Sequence, residues 1–280
     1  MGLIAPYPAA LDAALGTPKV CDPAFCVEVL PECASTNAVL LERAAAHAPS
    51  GLVITTESQT AGRGRRGRGW VAPPGASLPF SLLWRFKLSP ARLSGLSLAV
   101  GLAVARGLHA IGAAEVQLKW PNDLVVADAA TPTGYAKLGG ILIELHGTPH
   151  ETAAVIGIGL NIAFDHAARA AAARGGAGVT DVVTLCGQAV SRNALLARLL
   201  TQLHTALHNF EQHGFGVETA AWNALHLFQG KSVAILEEGE VLLRGSVVGI
   251  APSGALLLDT AEGRREVVSG DVSLRAAPNA

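Results

Sequence analysis

The sequence predicts an α+β protein in which a mixed sheet flanked by helices precedes a small antiparallel β-barrel. Up to His226, apolar and β-branched runs alternate with stretches of helical period, so strands and helices both contribute to one layered domain. After Phe228, short β-rich runs are separated by glycine-bearing turns that leave no room for a helix. The 280 residues are 50% hydrophobic and 15% charged, a composition that is typical of a folded chain and argues against disorder.

The elements of the larger domain follow from hydrophobic period and from residues that start or stop helices. The β-branched and apolar runs predict strands at 27–30, 51–57, 77–86, 115–120, 123–127, 138–145 and 152–162. Apolar periodicity and capping residues predict helices ending near His47, at 89–112, at 191–213 and at 217–225. Pro79 disfavours a central position for its strand, because proline has no N–H to donate to a neighbour.

The chain is predicted to divide into an N-terminal extension (1–27), a catalytic-size domain (28–226) and a small C-terminal domain (227–280). Short strands at 232–237, 240–250, 255–259 and 264–269 build the predicted barrel. The extension carries a short helical patch at 9–15 among turn residues. It is too short for a winged-helix or helix-turn-helix domain, which needs about 60 residues.

Charge and hydropathy limit the partners and the compartment. The net charge is −1, so any affinity for nucleic acid must be local. The longest apolar stretch, 93–111, contains Arg106 and His109 and is typical of a buried helix rather than a membrane span. Four cysteines without a CxxC pair, and no secretory signal, favour the cytoplasm and indicate neither a zinc site nor a disulfide scaffold.

An Arg/Gly run between Gly62 and Trp70 is the most distinctive local feature of the sequence. Its four arginines alternate with glycines that let the backbone approach a ligand closely. Guanidinium groups are planar forks suited to phosphate oxygens. The run is neither a Walker A loop nor a Rossmann turn. It favours a phosphate or acyl-phosphate ligand, while a solvated loop or an RNA-binding segment stays open on composition alone.

Four further segments combine polar groups with turns or glycines. The turn 119–123 carries Lys119, Asn122 and Asp123, although asparagine and aspartate are also ordinary turn residues. Lys137 opens an apolar strand in front of a glycine pair that permits close approach. The glycine-bearing strand 157–162 suits the floor of a pocket for a flat ligand, or plain packing. The segment 32–37 offers hydroxyl and amide groups, or simply a helix cap.

Together these segments resemble the biotin protein ligases. The resemblance rests on Ser35-Thr36-Asn37, on the stretch 57–68, and on the segments 119–123, 137–144 and 157–161 in this order. It covers roughly residues 28–275. It implies a catalytic domain like that of class II aminoacyl-tRNA synthetases and an SH3-like C-terminal barrel. It also implies a reaction in which biotin and ATP, with Mg²⁺, form biotinyl-5′-AMP, which then biotinylates a lysine of the biotin carboxyl carrier protein of acetyl-CoA carboxylase.

The resemblance also implies roles for individual residues, with metal ligands left unassigned. Catalytic roles fall to Arg65, Lys137 and Asp123. Contacts to biotin fall to Ser35, Thr36, Asn37, Gln59, Gly62, Arg63, Lys137, Gly139 and Gly157. Contacts to ATP or the adenylate fall to Arg63, Arg65, Arg66, Arg68, Trp70, Lys119, Asn122 and Asn161.

One departure from the family and two alternatives complete the prediction. Residues 1–27 cannot house the DNA-binding domain of the family's repressor members, so we expect no operator binding. A lipoate or octanoyl protein ligase would share the fold but lack the Arg/Gly run. An RNA-binding module would need further basic and aromatic surface, which the sequence does not offer. A homodimer is expected by analogy with the family alone.

Overall fold

The computed structural model of the chain describes residues 19–21, 24–148, 150–173, 178–270 and 272–276. The predicted helical patch at 9–15 lies outside the described residues. The strands of the first sheet are β1 (Lys19–Cys21), β2 (Cys26–Cys33), β3 (Leu52–Gln59), β4 (Ser77–Phe86), β5 (Gln117–Lys119), β6 (Asp123–Ala127), β7 (Tyr135–Gly147), β8 (Thr152–Asn161) and β9 (Gly178–Val179). The helices are α1 (Thr36–Ala45), α2 (Leu96–His109), α3 (His166–Ala172), α4 (Val182–Cys186), α5 (Arg192–His213) and α6 (Thr219–Leu225).

The first sheet is mixed, as predicted. Its strand order is β1-β2-β3-β4-β8-β7-β6-β5, and β9 pairs with β7. The β2–β3 and β7–β9 pairs are parallel, and the other pairs are antiparallel. This order brings the ends of β3, β4, β7 and β8 side by side, although they are far apart in the sequence.

Helices cover both faces of this sheet. On β4, Phe80 and Leu82 belong to the large core on the side of α2 and α5. Leu83 belongs to a smaller core beneath α1, which includes Leu40. Side chains alternate along a strand, so Ser81, two residues before Leu83, lies on the same face of the sheet as α1.

The predicted helix at 89–112 is shorter than expected. A short 3₁₀ turn spans Pro90–Leu93, and Gly95 adopts a left-handed φ of 84° before α2 begins. A Cβ at Gly95 would lie 2.7 Å from the Phe215 side chain. The break is therefore enforced by packing as well as by backbone conformation.

Pro79 was expected to keep its strand away from the centre of the sheet, but it lies inside β4, which is a central strand between β3 and β8. The pairing between β3 and β4 ends at Phe80, so the missing N–H of Pro79 removes no bond on that side. Its carbonyl oxygen accepts a hydrogen bond from Thr55 Oγ1 at 2.9 Å. The strand continues against β8, opposite Gly159.

The C-terminal region forms a second, antiparallel sheet. Its strands are β10 (Ser232–Glu237), β11 (Glu240–Ile250), β12 (Leu256–Thr260), β13 (Gly263–Val267) and β14 (Val272–Ala276). They follow the order β13-β12-β11-β10-β14. Within the described residues β13 and β14 are the two edges and do not pair, so the sheet is open rather than a closed barrel. Most of β13 is exposed to solvent, as an edge strand permits.

Two expectations about helices and cysteines can be compared with the structure. The segment Pro90–His109 has the length and hydropathy of a membrane span, and 67% of its most apolar window is buried inside the protein. This agrees with its prediction as a buried helix. The cysteines indicated no disulfide scaffold, and the structure corrects this in part, because Cys26 is disulfide-bonded whereas Cys33 and Cys186 are free.

Candidate active site

A cavity of about 610 Å³ lies between the sheet, the Arg/Gly run and β14. Most of the predicted site residues line it, from five separate stretches of the chain. These are Ser35, Thr36, Asn37, Gln59, Arg63, Arg65, Arg66, Arg68, Trp70, Lys119, Asn122, Asp123, Lys137, Gly157 and Asn161.

Two predicted biotin contacts, Gly62 and Gly139, do not line the cavity. The pairing of β6 with β7 shifts register beside Leu138, so Gly140 rather than Gly139 shares the cavity face with Lys137. A Cβ on Gly139 would point into the core, 2.7 Å from Leu160 Cδ2. A Cβ on Gly62 would lie 2.8 Å from the Trp70 carbonyl oxygen, so this glycine closes the loop rather than meeting a ligand.

The Arg/Gly run folds as a small hairpin, defined here as the Arg/Gly loop (62–70). Arg63 pairs with Gly69 as an antiparallel bridge. The Trp70 amide donates to the Gly62 carbonyl at 2.8 Å. At the tip, Arg66 has a left-handed φ of 60°. The loop is therefore ordered by its own backbone, which places its arginines around one side of the cavity.

Arg65 connects this loop to two other parts of the protein. Its Nη1 donates to Asn122 Oδ1 at 3.3 Å, in the turn before β6. Its Nη2 donates to the carbonyl of Gly270, just ahead of β14. Asn122 is fixed in turn, because its Nδ2 donates to the Ile141 carbonyl at 2.7 Å.

Lys137, Asp123 and Lys119 form a compact charged cluster beside Asn122. Lys137 Nζ lies 2.6 Å from Asp123 Oδ1, and Lys119 Nζ lies 3.7 Å from Asp123 Oδ2. Burial opposes ionisation of Asp123, but the ammonium groups of Lys137 and Lys119 outweigh it and hold its pKa below the usual 3.8. Burial lowers the pKa of Lys119 from 10.5 to about 8, although Asp123 acts against the shift.

Asn161, at the end of β8, supports this cluster. Its Nδ2 donates to the Lys137 carbonyl at 3.2 Å and to the Thr180 carbonyl at 3.0 Å. Both protons of the amide nitrogen are used in this way, so the nitrogen ties β7 to β8. The Asn161 side chain thereby fixes the backbone from which Lys137 projects.

A neutral group of side chains at the start of α1, together with β3 and β4, defines the polar pocket (Ser35, Thr36, Asn37, Gln59 and Ser81). The Thr36 amide donates to Gln59 Oε1 at 2.8 Å. Thr36 and Ser81 share a hydroxyl contact at 2.7 Å, and Ser81 Oγ donates to Asn37 Oδ1 at 2.6 Å. Gly157 leaves room for this amide, since a Cβ there would lie 2.1 Å from Asn37 Oδ1.

Trp70 forms a wall between the polar pocket and the charged cluster. Its indole lies directly on Gly159, where a Cβ would lie 2.5 Å from the ring. Lys137 Nζ is 5.9 Å from the centre of the Trp70 ring. The glycines of β8 therefore make room for the protein's own side chains, Asn37 at Gly157 and Trp70 at Gly159, and their predicted role as the floor beneath a flat ligand stays a prediction.

Several residues of the site were not identified from the sequence. Tyr135 and Arg275 line the cavity, and Arg275 Nη1 donates to the Tyr135 hydroxyl at 2.9 Å. Arg192 and Glu57 form a buried ion pair with contacts of 2.6 and 2.8 Å beneath β3. No strand was predicted at 272–276; the apolar–polar alternation of Val272, Ser273 and Leu274 could have indicated β14, but its position over the cavity depends on contacts distant in sequence.

This arrangement defines a class of protein that binds a ligand with two unlike ends. The polar pocket suits a neutral ring with donors and acceptors, whereas the arginines and lysines suit an anion. A carboxylate and a phosphate could be held together here, because nearby cations reduce their repulsion.

Comparison with known proteins agrees with this geometry. Residues 29–161 match the biotin/lipoate A/B protein ligase family, and residues 228–275 match the biotin protein ligase C-terminal domain. The bifunctional ligase/repressor BirA of Escherichia coli is 38% identical over 90% of this chain and 74% of its own length. The biotin–[acetyl-CoA-carboxylase] ligase of Mycobacterium tuberculosis is 36% identical over 88% of both chains.

The fold is also similar to that of a solved biotin protein ligase. The biotin protein ligase from Aquifex aeolicus in complex with biotin and ATP has a TM-score of 0.73 and 28% identity, covering 90% of this chain and 99% of that chain. The chain belongs to the biotin protein ligase family.

Proposed function

We propose that this chain is an ATP-dependent biotin protein ligase that acts on the biotin carboxyl carrier protein of acetyl-CoA carboxylase. In the first step the carboxylate of biotin attacks the α-phosphate of ATP and releases pyrophosphate. In the second step a lysine amine of the carrier attacks the acyl carbon of biotinyl-5′-AMP and releases AMP. The relatives named above support both substrates and the acceptor.

The first step brings two anions together, and the cations of the cavity oppose their repulsion. Lys137, held by Asp123, would lie between the carboxylate and the α-phosphate. Arg65, tied to Asn122 and Gly270, would hold the adenylate and retain it. Such preorganised charge stabilises the transition state without reorganisation during the reaction.

The second step needs a neutral amine and the exclusion of water from the acyl-adenylate. Among the described residues that line the cavity, Asp123 is the one carboxylate, and its lowered pKa keeps it anionic near neutral pH. An anionic Asp123 can attract the incoming lysine while that lysine is still cationic, and the lysine must then release a proton to solvent before its neutral amine attacks. The ordered Arg/Gly loop would cover the intermediate and limit its hydrolysis.

Magnesium would enter with ATP rather than bind to a separate protein site. Among the described residues no group of three His, Cys, Asp or Glu side chains could hold a metal. Asp123 is already engaged by two ammonium groups. Mg²⁺ commonly binds through substrate phosphates with few protein ligands, so we propose it as part of the MgATP substrate.

Some finer predictions also belong to this proposal. They are a catalytic domain related to class II aminoacyl-tRNA synthetases, an SH3-like fold of the C-terminal domain, the three-part division of the chain, a cytoplasmic location, pairing into a homodimer, and no binding of nucleic acid or membrane. Gly62 and Gly139 would act on biotin only through the residues that they pack against.

One observation carries the proposal: a single cavity joins the polar pocket, Trp70, the Arg/Gly loop and the Lys137–Asp123 pair. A lipoate or octanoyl ligase would have no use for hydrogen-bonding groups at the ring end. An RNA-binding module would expose its arginines on an open surface rather than around a cavity.

Biotin-dependent exchange of labelled pyrophosphate into ATP tests the proposed first step. We expect exchange with biotin and Mg²⁺, and far less with lipoate or octanoate in its place. Exchange that is faster with lipoate, or exchange that needs no biotin, would contradict the proposal.

A further inference from the structure

Glu144, on β7, links the polar pocket to the Arg/Gly loop with its two carboxylate oxygens. Its Oε2 accepts a hydrogen bond from Asn37 Nδ2 at 2.8 Å. Its Oε1 accepts from Arg63 Nη2 at 3.4 Å. Glu144 does not itself line the cavity, so it has no direct contact to offer a ligand.

On the pocket side, Glu144 helps to fix the orientation of the Asn37 amide. Asn37 Nδ2 faces the carboxylate of Glu144 and the carbonyl of Leu142 at 3.2 Å, and both groups only accept hydrogen bonds. Asn37 Oδ1 must therefore face Ser81, which donates to it at 2.6 Å. Because Asn37 is only 4% exposed, water cannot easily replace a lost partner.

On the loop side, Glu144 holds Arg63 at the base of the hairpin, next to its bridge with Gly69. The side chains are 46% and 27% exposed, so the ion pair is partly screened by solvent. Pairs of this kind change an equilibrium by about two- to fivefold. A change of this size can shift the fraction of molecules in which the Arg/Gly loop is closed, but it is too small to determine the fold.

We propose that Glu144 is a positioning residue that couples the polar pocket to the Arg/Gly loop. One rigid strand carries a carboxylate that orients the pocket amide and restrains the loop arginine at the same time. Filling of the pocket and closure of the loop are then linked through a single side chain. The identity of the pocket ligand as biotin rests on the proposed function, whereas the effect on the loop does not.

The contact of Glu144 with Asn37 (the pocket arm) and its contact with Arg63 (the loop arm) can be separated by substitution. In Glu144→Gln the side-chain carbonyl still accepts from Asn37, but the charge that attracts Arg63 is gone. In Glu144→Leu both arms are lost. Glu28→Gln is the matched control, because Glu28 forms a comparable exposed ion pair with Arg43 at 3.6 Å, away from the cavity.

Limited trypsin digestion of the ligand-free protein measures loop opening, since the loop contains the arginines that trypsin cleaves. We expect cleavage at Arg65, Arg66 and Arg68 to be about two- to fivefold faster in Glu144→Gln and unchanged in Glu28→Gln. In an Arg63→Met background, Glu144→Gln should have no additional effect on the rate. An unchanged rate in Glu144→Gln, or the same increase with Arg63→Met present, would overturn the proposal.

Biotin titrations test the pocket arm. The KM for biotin should stay within about twofold in Glu144→Gln and rise about tenfold or more in Glu144→Leu, with the KM for ATP little changed. An equal rise for both variants would refute separate arms. If the chain proves inactive with biotin, the proposed function fails, yet the digestion result still decides whether Glu144 restrains the loop.

Discussion

The polar pocket and the charged end of the cavity are built in opposite ways. In the polar pocket, the neutral side chains of Thr36, Ser81 and Asn37 hydrogen-bond to one another and are buried. At the charged end, the described residues that line the cavity include seven Arg and Lys side chains and one carboxylate, Asp123. The pocket is therefore preorganised by its own contacts, whereas the charged end gains most from an anionic ligand. From this difference we propose that hydrogen-bonding groups select the ring of the ligand and that positive charge favours the reaction.

Of the proposed substitutions, removal of the Lys137 side chain should lower the rate of the reaction most. We expect Lys137→Ala to lower the rate of biotin-dependent pyrophosphate exchange by about a hundredfold or more, because a preorganised charge at the reacting atoms is lost. The KM for biotin should change much less. Lys87→Ala, which removes an exposed lysine elsewhere, is the control. A variant with a raised biotin KM and a normal rate would place Lys137 in the pocket instead.

A methyl group at Gly157 should have the next largest effect, confined to the ring end. Its Cβ would lie 2.1 Å from Asn37 Oδ1, so the amide must move and lose its hydrogen bonds. We expect Gly157→Ala to raise the KM for biotin by about ten- to a hundredfold. The KM for ATP should not change. Gly101→Ala, whose Cβ finds its nearest neighbour at 3.4 Å, should behave like the wild type; a matching loss there would indicate general instability.

The pH dependence of ATP binding should report Lys119. Burial lowers the pKa of this lysine to about 8, so its charge is present below that pH and is lost as the pH rises through it. The KM for ATP should rise above pH 8, by roughly a few-fold. In Lys119→Arg the guanidinium stays charged and the rise should disappear. Persistence of the rise in that variant would exclude Lys119 as its source.

The last prediction concerns stability rather than activity, at His226, near the junction of the two sheets. Its side chain is buried, neither ring nitrogen has a hydrogen-bond partner, and burial lowers its pKa from 6.5 to about 3. The unfolded chain binds a proton below pH 6.5 and the folded chain does not until about pH 3. Stability should thus fall by about 1.4 kcal/mol per pH unit across this window as the pH falls.

Chemical denaturation between pH 7 and pH 4 measures that contribution. His226→Phe removes the titrating ring and should make the free energy of unfolding less dependent on pH. The exposed His150→Gln should leave the slope as it is in the wild type. A slope that is the same in all three proteins would mean that His226 is protonated in the folded state.

Much of the fold could be predicted from the sequence because its signals are local. An apolar run predicted the strand at 77–86 with both ends correct, and Ser191 does cap α5, its Oγ accepting from the Ala194 amide. The register shift beside Leu138 could not be predicted, since it depends on pairing between β6 and β7. That shift is the reason why Gly140, rather than Gly139, faces the cavity.

In the candidate site, too, features that depend on contacts between distant segments could not be predicted from the sequence. Dense motifs such as the Arg/Gly loop were recognisable from residue type and spacing alone. Ser81, Glu144 and Arg275 were missed because each is an ordinary residue in its strand. Their positions become meaningful only when β4, β7 and β14 are brought beside α1 and the loop. Sequence patterns thus located the residues that carry charge better than those that position them.

Single-turnover transfer is the most direct test of the central claim that one cavity both activates biotin and delivers it. The protein is incubated with radiolabelled biotin and MgATP, freed of small molecules by gel filtration, and mixed with biotin carboxyl carrier protein. The account predicts that the label stays with the protein as biotinyl-5′-AMP and then passes to the carrier without further ATP. Label that does not remain bound, or that reaches the carrier only when fresh ATP is added, would contradict it.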